Sequence, residues 1–254
     1  MSKARWNTVK RMVHSLAQPK HAGIKAVLFD AYGTLFDVYS VALLAEQLYP
    51  GQGQALSQLW RDKQIEYTRL VSSSAKGPQR ESVYRPFWEL TAAALRYACK
   101  RMKLELNKER EQQLMNQYRH LSSFPENREV LQALRERGIA TGILSNGDRA
   151  MLDVAIKSAG LSDLLDHVIS VDPIRKYKTD PQAYALGEQA TGLTAAQIGF
   201  VSSNAWDALA ATWYGYATVW VNRYQLPFEE LDTEPHYSGS DLRAVLQALG
   251  PIHS

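Results

Sequence analysis

At 254 residues the chain can bury a substantial core, and 45% hydrophobic with 22% charged residues is ordinary for a globular protein. No stretch approaches the roughly 18 consecutive apolar residues of a membrane span, so no membrane partner is expected. Lys3, Arg5, Lys10, Arg11 and Lys20 all stand in the first 22 residues, which hold no acid, so the net +3 falls to −2 over the rest; a nucleic-acid binder would carry its basic excess on the folded domain, and that partner class is set aside.

In chain order, residues 1–22 form a basic extension with Trp6, Val9, Val13 and Leu16 at helical spacing but without the apolar stretch of a secretory signal. It is read as a flexible extension, a transit peptide being the alternative, and the protein is expected in the cytoplasm. Ile24 to Ala31 is a short apolar run closing on a Tyr-Gly-Thr turn, the pattern of a buried strand. From Phe36 to about Phe124 the chain is helical in character, with no convincing strand and with Ser72 to Gln79 reading as a loop. Its single cysteine, Cys99, excludes an intramolecular disulfide and suits a helix interior as a small core residue.

Beyond residue 125, helical segments alternate with apolar runs: helix Asn127 to Arg137, strand Ile139 to Ser145, helix Ala150 to Ala159, strand His167 to Val171. Helix Pro181 to Ala190, strand Ile198 to Ser203, helix Trp206 to Tyr214 and strand Ala217 to Asn222 follow. Gly138, Gly160, Gly192 and Gly215 stand where helices stop. Such alternation predicts an α/β protein with a parallel, Rossmann-like sheet core over 23–35 and 125–254, and an inserted α-helical cap domain over 36–124.

Ligands of open parallel sheets bind beyond the carboxyl ends of the strands. There the sequence places Asp30 with Thr34, then Ser145 and Asn146, then Ser202, Ser203, Asn204 and Asp207, with Lys178 after the third strand. An ionised aspartate is a nucleophile toward carbon or phosphorus, and a nearby lysine would hold it charged. Taken alone, Asp30 fits a capping or ion-pairing role better than a nucleophilic one.

Four ordered motifs change that balance: FDAYGTLFD at Phe29 to Asp37, SNG at Ser145 to Gly147, YK followed by D at Tyr177 to Asp180, and SSNAWD at Ser202 to Asp207. Together they resemble the haloacid dehalogenase superfamily, within it the L-2-haloacid dehalogenases, from about Ile24 to Leu249. Phosphatases of that superfamily generally carry a second aspartate two residues after the nucleophile, where this chain has Tyr32. They also hold magnesium with paired carboxylates in the last motif, where this chain has Ser203 and Asn204 with Asp207. A departing halide needs no proton, so the residues favour carbon–halogen chemistry without metal or cofactor. A magnesium-dependent phosphatase or phosphonatase, and a non-catalytic binding module, are the alternatives.

The resemblance implies hydrolysis of short L-2-haloacids, such as 2-chloropropionate or haloacetate, to D-2-hydroxyacids through an Asp30 ester. Arg61, of the Leu-Trp-Arg motif, would receive the halide with Asn146, and Asp207 would activate water, held with Asp30 by Lys178, Ser202 and Asn204. Ser145 and the backbone amides from Ala31 would bind the substrate carboxylate, while Tyr32, Ile65, Phe87 and Trp206 would wall its alkyl side. For Ile65 plain core packing is the favoured reading, and Tyr184 would brace the site by hydrogen bonding or pack. Thr179 replaces the proline common to the family, which would stiffen the turn at Lys178. A homodimer is expected from the resemblance alone.

Overall fold

The computed structural model describes residues 23–250; the basic extension expected over 1–22 lies outside the described residues. The chain opens on β1 (Ala26–Phe29), whose four residues are all buried. It then leaves the sheet through β2 (Phe36–Asp37) for four helices: α1 (Ala42–Leu48), α2 (Gly53–Ser73), α3 (Phe87–Arg101) and α4 (Lys108–Arg119). Between α2 and α3 lies a hairpin of β3 (Ala75–Lys76) and β4 (Glu81–Ser82), and the chain returns through β5 (Ser122–Ser123).

The core then runs α5 (Asn127–Glu136), β6 (Ala140–Ser145), α6 (Arg149–Ser158), β7 (His167–Ser170), α7 (Pro181–Thr191), β8 (Ile198–Ser202), α8 (Ala205–Tyr214), β9 (Ala217–Val221), β10 (Tyr237–Gly239) and α9 (Ala244–Leu249). Local chemistry sets these boundaries. Asp148 caps α6 by accepting from the Met151 amide, and Asp180 caps α7 with Pro181 at its first position. Gly192 and Gly215 end α7 and α8 at positive φ, where side chains are disfavoured.

The sheet order is β10-β9-β8-β1-β6-β7, every pair parallel. Strands covered on both faces must be apolar throughout, which is why β1 and β8 read as continuous hydrophobic runs. β1 lies at the centre, with Phe29 opposite Ile143 of β6 and Val201 of β8. The chain winds away from it in both directions, which opens a crevice at its carboxyl end. Asp30 is the first residue beyond that end.

Three short pairings depart from the sequence reading. β10 adds a sixth strand, and its Tyr-Ser-Gly lacks the apolar run that marks the other strands. The 36–124 stretch, expected without strands, holds β3 and β4, so the expected loop at 72–79 begins in the last turn of α2 and continues into a hairpin. β2 and β5 pair antiparallel, tying together the two passages between sheet and helices. Two residues are too few to show a period, so sequence patterning cannot register such ribbons. Among the described residues no helix is long and apolar enough to cross a membrane.

Candidate active site

Asp30 is buried, and its carboxylate is held by three donors. Lys178 Nζ donates to Oδ1 at 3.1 Å; Asn204 Nδ2 and Thr34 Oγ1 donate to Oδ2 at 2.9 and 3.2 Å. Thr34 is itself fixed, because its Oγ1 accepts the Ser203 amide at 2.8 Å. Ser202 Oγ accepts the Asn204 amide at 3.1 Å and so shapes the turn that aims Asn204.

Lys178 also donates to Asp207 Oδ2 at 3.0 Å, and neither side chain is exposed at all. A buried ammonium needs compensation, and here two carboxylates supply it. The lysine is placed by its backbone amide, which donates to Asn146 Oδ1 at 2.9 Å, and its bond to Thr179 is cis. With Thr179 in place of proline, Lys178 reaches both partners. Asp207 takes its second hydrogen bond from Tyr184 Oη at 2.7 Å. Burial raises the Asp207 pKa; Lys178 opposes this and the Asp30 charge adds to it, leaving Asp207 above its ordinary value. Burial and Asp207 push Tyr184 well up, so it remains a donor.

From the cap side α2 delivers Arg61. Its guanidinium donates to Gln64 Oε1 at 2.8 Å, Tyr32 O at 2.9 Å and Asn204 Oδ1 at 3.2 Å. These are neutral acceptors, and among the described residues Arg61 forms no ion pair with a carboxylate. Yet the residue is only 8% exposed. Gln64 is held in turn, donating to Thr91 Oγ1 at 2.6 Å and accepting from Tyr118 Oη at 3.1 Å.

Asp30 and Arg61 face a small cavity of about 280 Å³ of free space including its mouth. Its polar wall adds Ser145, Asn146 and Asn204; its apolar wall is Tyr32, Ile65, Phe87 and Trp206. The Tyr32 ring is wedged between Tyr118 and Phe87, with centroids 5.8 and 5.5 Å away. Gly147 permits this, since a Cβ there would lie 2.7 Å from the ring. Trp206 lies under the Arg69 guanidinium, 5.2 Å from its ring. Ile65 therefore lines the cavity, half-buried, instead of filling the core.

Tyr184 and Ala31 are not part of the cavity lining. Tyr184 lies behind Asp207, outside the cavity lining, because its hydroxyl is committed to that carboxylate. Ala31 is fully buried. Conversely Thr68, Gln64, Thr91 and Tyr118 escaped the sequence reading. Gln64 and Thr68 follow Arg61 by three and seven residues, so their helical face was available as a signal. The Cys99 thiol is buried and raised to about 11 by desolvation, as suits a core residue.

A family profile described as haloacid dehalogenase-like hydrolase matches residues 24–215. The chain belongs to the haloacid dehalogenase-like hydrolases. Within that family it is 42% identical over 224 residues to an (S)-2-haloacid dehalogenase of Pseudomonas sp. (strain YL), covering 88% of this chain and 94% of that one. A crystal structure of an L-2-haloacid dehalogenase superposes with a TM-score of 0.86 at 57% identity, covering 91% of this chain and all of the other. The L-2-haloacid dehalogenase of Xanthobacter autotrophicus, solved with chloropropionic acid covalently bound, superposes at 0.79 with 34% identity, covering 88% and 97%. The shared region includes both the helical insertion and the parallel sheet of this haloacid dehalogenase-like hydrolase.

Proposed function

We propose that this hydrolase is an (S)-2-haloacid dehalogenase, cleaving the carbon–halogen bond of short 2-haloacids. The observation that carries the reading is Arg61: a buried guanidinium, satisfied only by neutral acceptors, facing an ion-paired aspartate across a small cavity. Such an arginine is short of one anion, and a halide forming in the cavity supplies it. The relatives' dehalogenase names agree with this chemistry.

In the first step an Asp30 carboxylate oxygen attacks C2 from the side opposite the halogen. The new C–O bond forms as the carbon–halogen bond breaks, and the bonding pair leaves on the halide toward Arg61 and Asn146, both of which line the cavity. Ser145 and the amides after Asp30 orient the substrate carboxylate, and Tyr32, Ile65, Phe87 and Trp206 limit the alkyl group to a short one. Inversion turns an L-2-haloacid into the ester of a D-2-hydroxyacid.

Water then attacks the ester carbonyl of Asp30, and Asp207 takes its proton. The charges time this step. Esterification removes the Asp30 charge that helps raise Asp207, leaving Lys178 paired with an ionised Asp207 ready to accept. As the Asp30 carboxylate is regenerated, its charge favours retention of the proton on Asp207, from which the proton passes to solvent. No step in this scheme calls on a metal or cofactor; Lys178 pairs with both carboxylates. The proposal extends to a homodimer, on resemblance, with light scattering in solution as the check, and to a cytoplasmic location, on the lack of a secretory apolar stretch in residues 1–22.

Chloride released from each enantiomer of 2-chloropropionate, in buffer with a chelator, tests the reading. Release from the L enantiomer alone, reduced by about 10⁴-fold or more in Asp30→Asn, is expected. Single turnover in heavy-oxygen water should label Asp30; label confined to product would sink the ester route. Magnesium-dependent phosphate release without halide release would instead establish a phosphatase.

A further inference from the structure

Arg223 follows β9 and lies outside the 24–215 span of the family profile. Its side chain is 9% exposed and holds three things at once. One nitrogen donates to Glu126 Oε1 at 2.6 Å, the other to the Thr34 carbonyl at 3.1 Å, and the guanidinium stacks 3.6 Å from the Phe124 ring centroid. Glu126 and Phe124 belong to the passage by which the chain returns from the cap helices. Thr34 belongs to the loop by which it leaves.

The neighbouring contacts make this a clamp. Phe124 N and Asn127 Nδ2 both donate to Leu35 O, at 3.3 and 2.7 Å, and Phe36 pairs with Ser123. Glu126 Oε1 also accepts the Leu242 amide at 3.2 Å, anchoring the clamp to the segment before α9. Burial raises the Glu126 pKa, but the Arg223 and backbone hydrogen bonds outweigh it, so Glu126 is held as a carboxylate below its ordinary range. A lysine could neutralise Glu126, but only a planar fork can serve Glu126 and Thr34 together while stacking on Phe124.

What Arg223 holds bears directly on the nucleophile. Thr34 donates to Asp30 Oδ2 and accepts from Ser203 N, so a shift of the Thr34 backbone moves a donor off the reacting carboxylate. We infer that Arg223 is a positioning residue for Asp30: by fastening the Thr34 carbonyl to Phe124 and Glu126 on the returning passage, it sets the attack geometry of the nucleophile. The inference rests on the dehalogenase reading, since its measure is the rate of attack on a haloacid.

The test is single-turnover halide release from L-2-chloropropionate, separating attack by Asp30 from ester hydrolysis, with each rate normalised to folded enzyme at low temperature. Arg223→Met should slow attack tenfold or more, leave KM within about threefold, and leave ester hydrolysis less affected. Arg223→Lys, which restores charge without the fork, should recover stability more than rate. Glu126→Gln retains an acceptor oxygen and should remain within about threefold of wild type. In a double-mutant cycle, Arg223→Met added to Thr34→Val should cost less than it does alone, because the contact it orients is already gone.

A purely structural arginine would lower the melting temperature while leaving attack per folded molecule and the Thr34 coupling unmoved, and that result overturns the inference. If Arg223→Met does not fold, Arg223→Lys carries the same comparison: wild-type attack at reduced stability overturns it equally. A wild type that releases no halide would instead overturn the dehalogenase reading, and this inference with it.

Discussion

Lys178 and Arg61 are both buried cations beside the nucleophile, but the fold treats them oppositely. Lys178 enters from the core side and meets two carboxylates; Arg61 enters from the cap side and meets two carbonyl-type side-chain oxygens and one backbone carbonyl. The first charge is cancelled before any substrate arrives. The second is left open toward the cavity. A site built this way keeps its nucleophile ionised with one cation and reserves the other for charge that develops only during reaction.

The contrast predicts opposite balances of stability and rate when each cation is removed. Lys178→Met leaves Asp30 and Asp207 buried without their shared partner, so it should cost about 3–5 kcal/mol of stability, the scale for breaking a buried ion pair. Activity should fall with it, and denaturant unfolding beside halide release would measure both. Arg61→Met should instead leave stability within about 1 kcal/mol, because the charge it removes has no ionic partner, while halide release falls about 10²- to 10³-fold. Arg61→Lys tests the fork: a point charge that cannot reach Gln64, Tyr32 and Asn204 together should recover only part of the rate. Equal stability losses in the two methionine variants would break the comparison.

The two sides also differ in how far they could be read from sequence. The core side consists of strand ends, and each strand announces its end where an apolar run stops: Asp30 after Phe29, Ser145 closing β6, Asn204 and Asp207 after β8. Fold and catalytic core therefore follow from hydrophobic period and punctuation. Arg61 stands on a long amphipathic helix, where nothing local separates it from solvated arginines, and only its motif drew attention to it. Gln64, Thr91 and Tyr118, which hold it, come from three helices and meet only through packing. Arg223 and Glu126 are 97 residues apart and become partners only when the loop after β9 packs beside the start of α5. Sequence period reports a residue's own element, and such cross-element polar contacts have no period.

The smallest effect tests the core side alone. Asp207 must be ionised to take the proton from water, so it sets the acid limb of ester hydrolysis: in the ester, burial still raises its pKa but the Asp30 charge no longer does, and as pH falls through that pKa hydrolysis slows and the Asp30 ester accumulates. The Tyr184 hydrogen bond favours the ionised form and so lowers that pKa. Tyr184→Phe removes the donor while keeping the ring, so the limb should move to higher pH, with the rate on the alkaline plateau changed by about tenfold or less. The pH profile of ester decay in single turnover measures both quantities. Halide release in the first step should keep its own profile, since Tyr184 does not touch Asp30. A limb that stays in place would mean that Tyr184 only packs against α8, or that another group takes the proton; Asp207→Asn separates the two, because it abolishes ester decay only if Asp207 is the base.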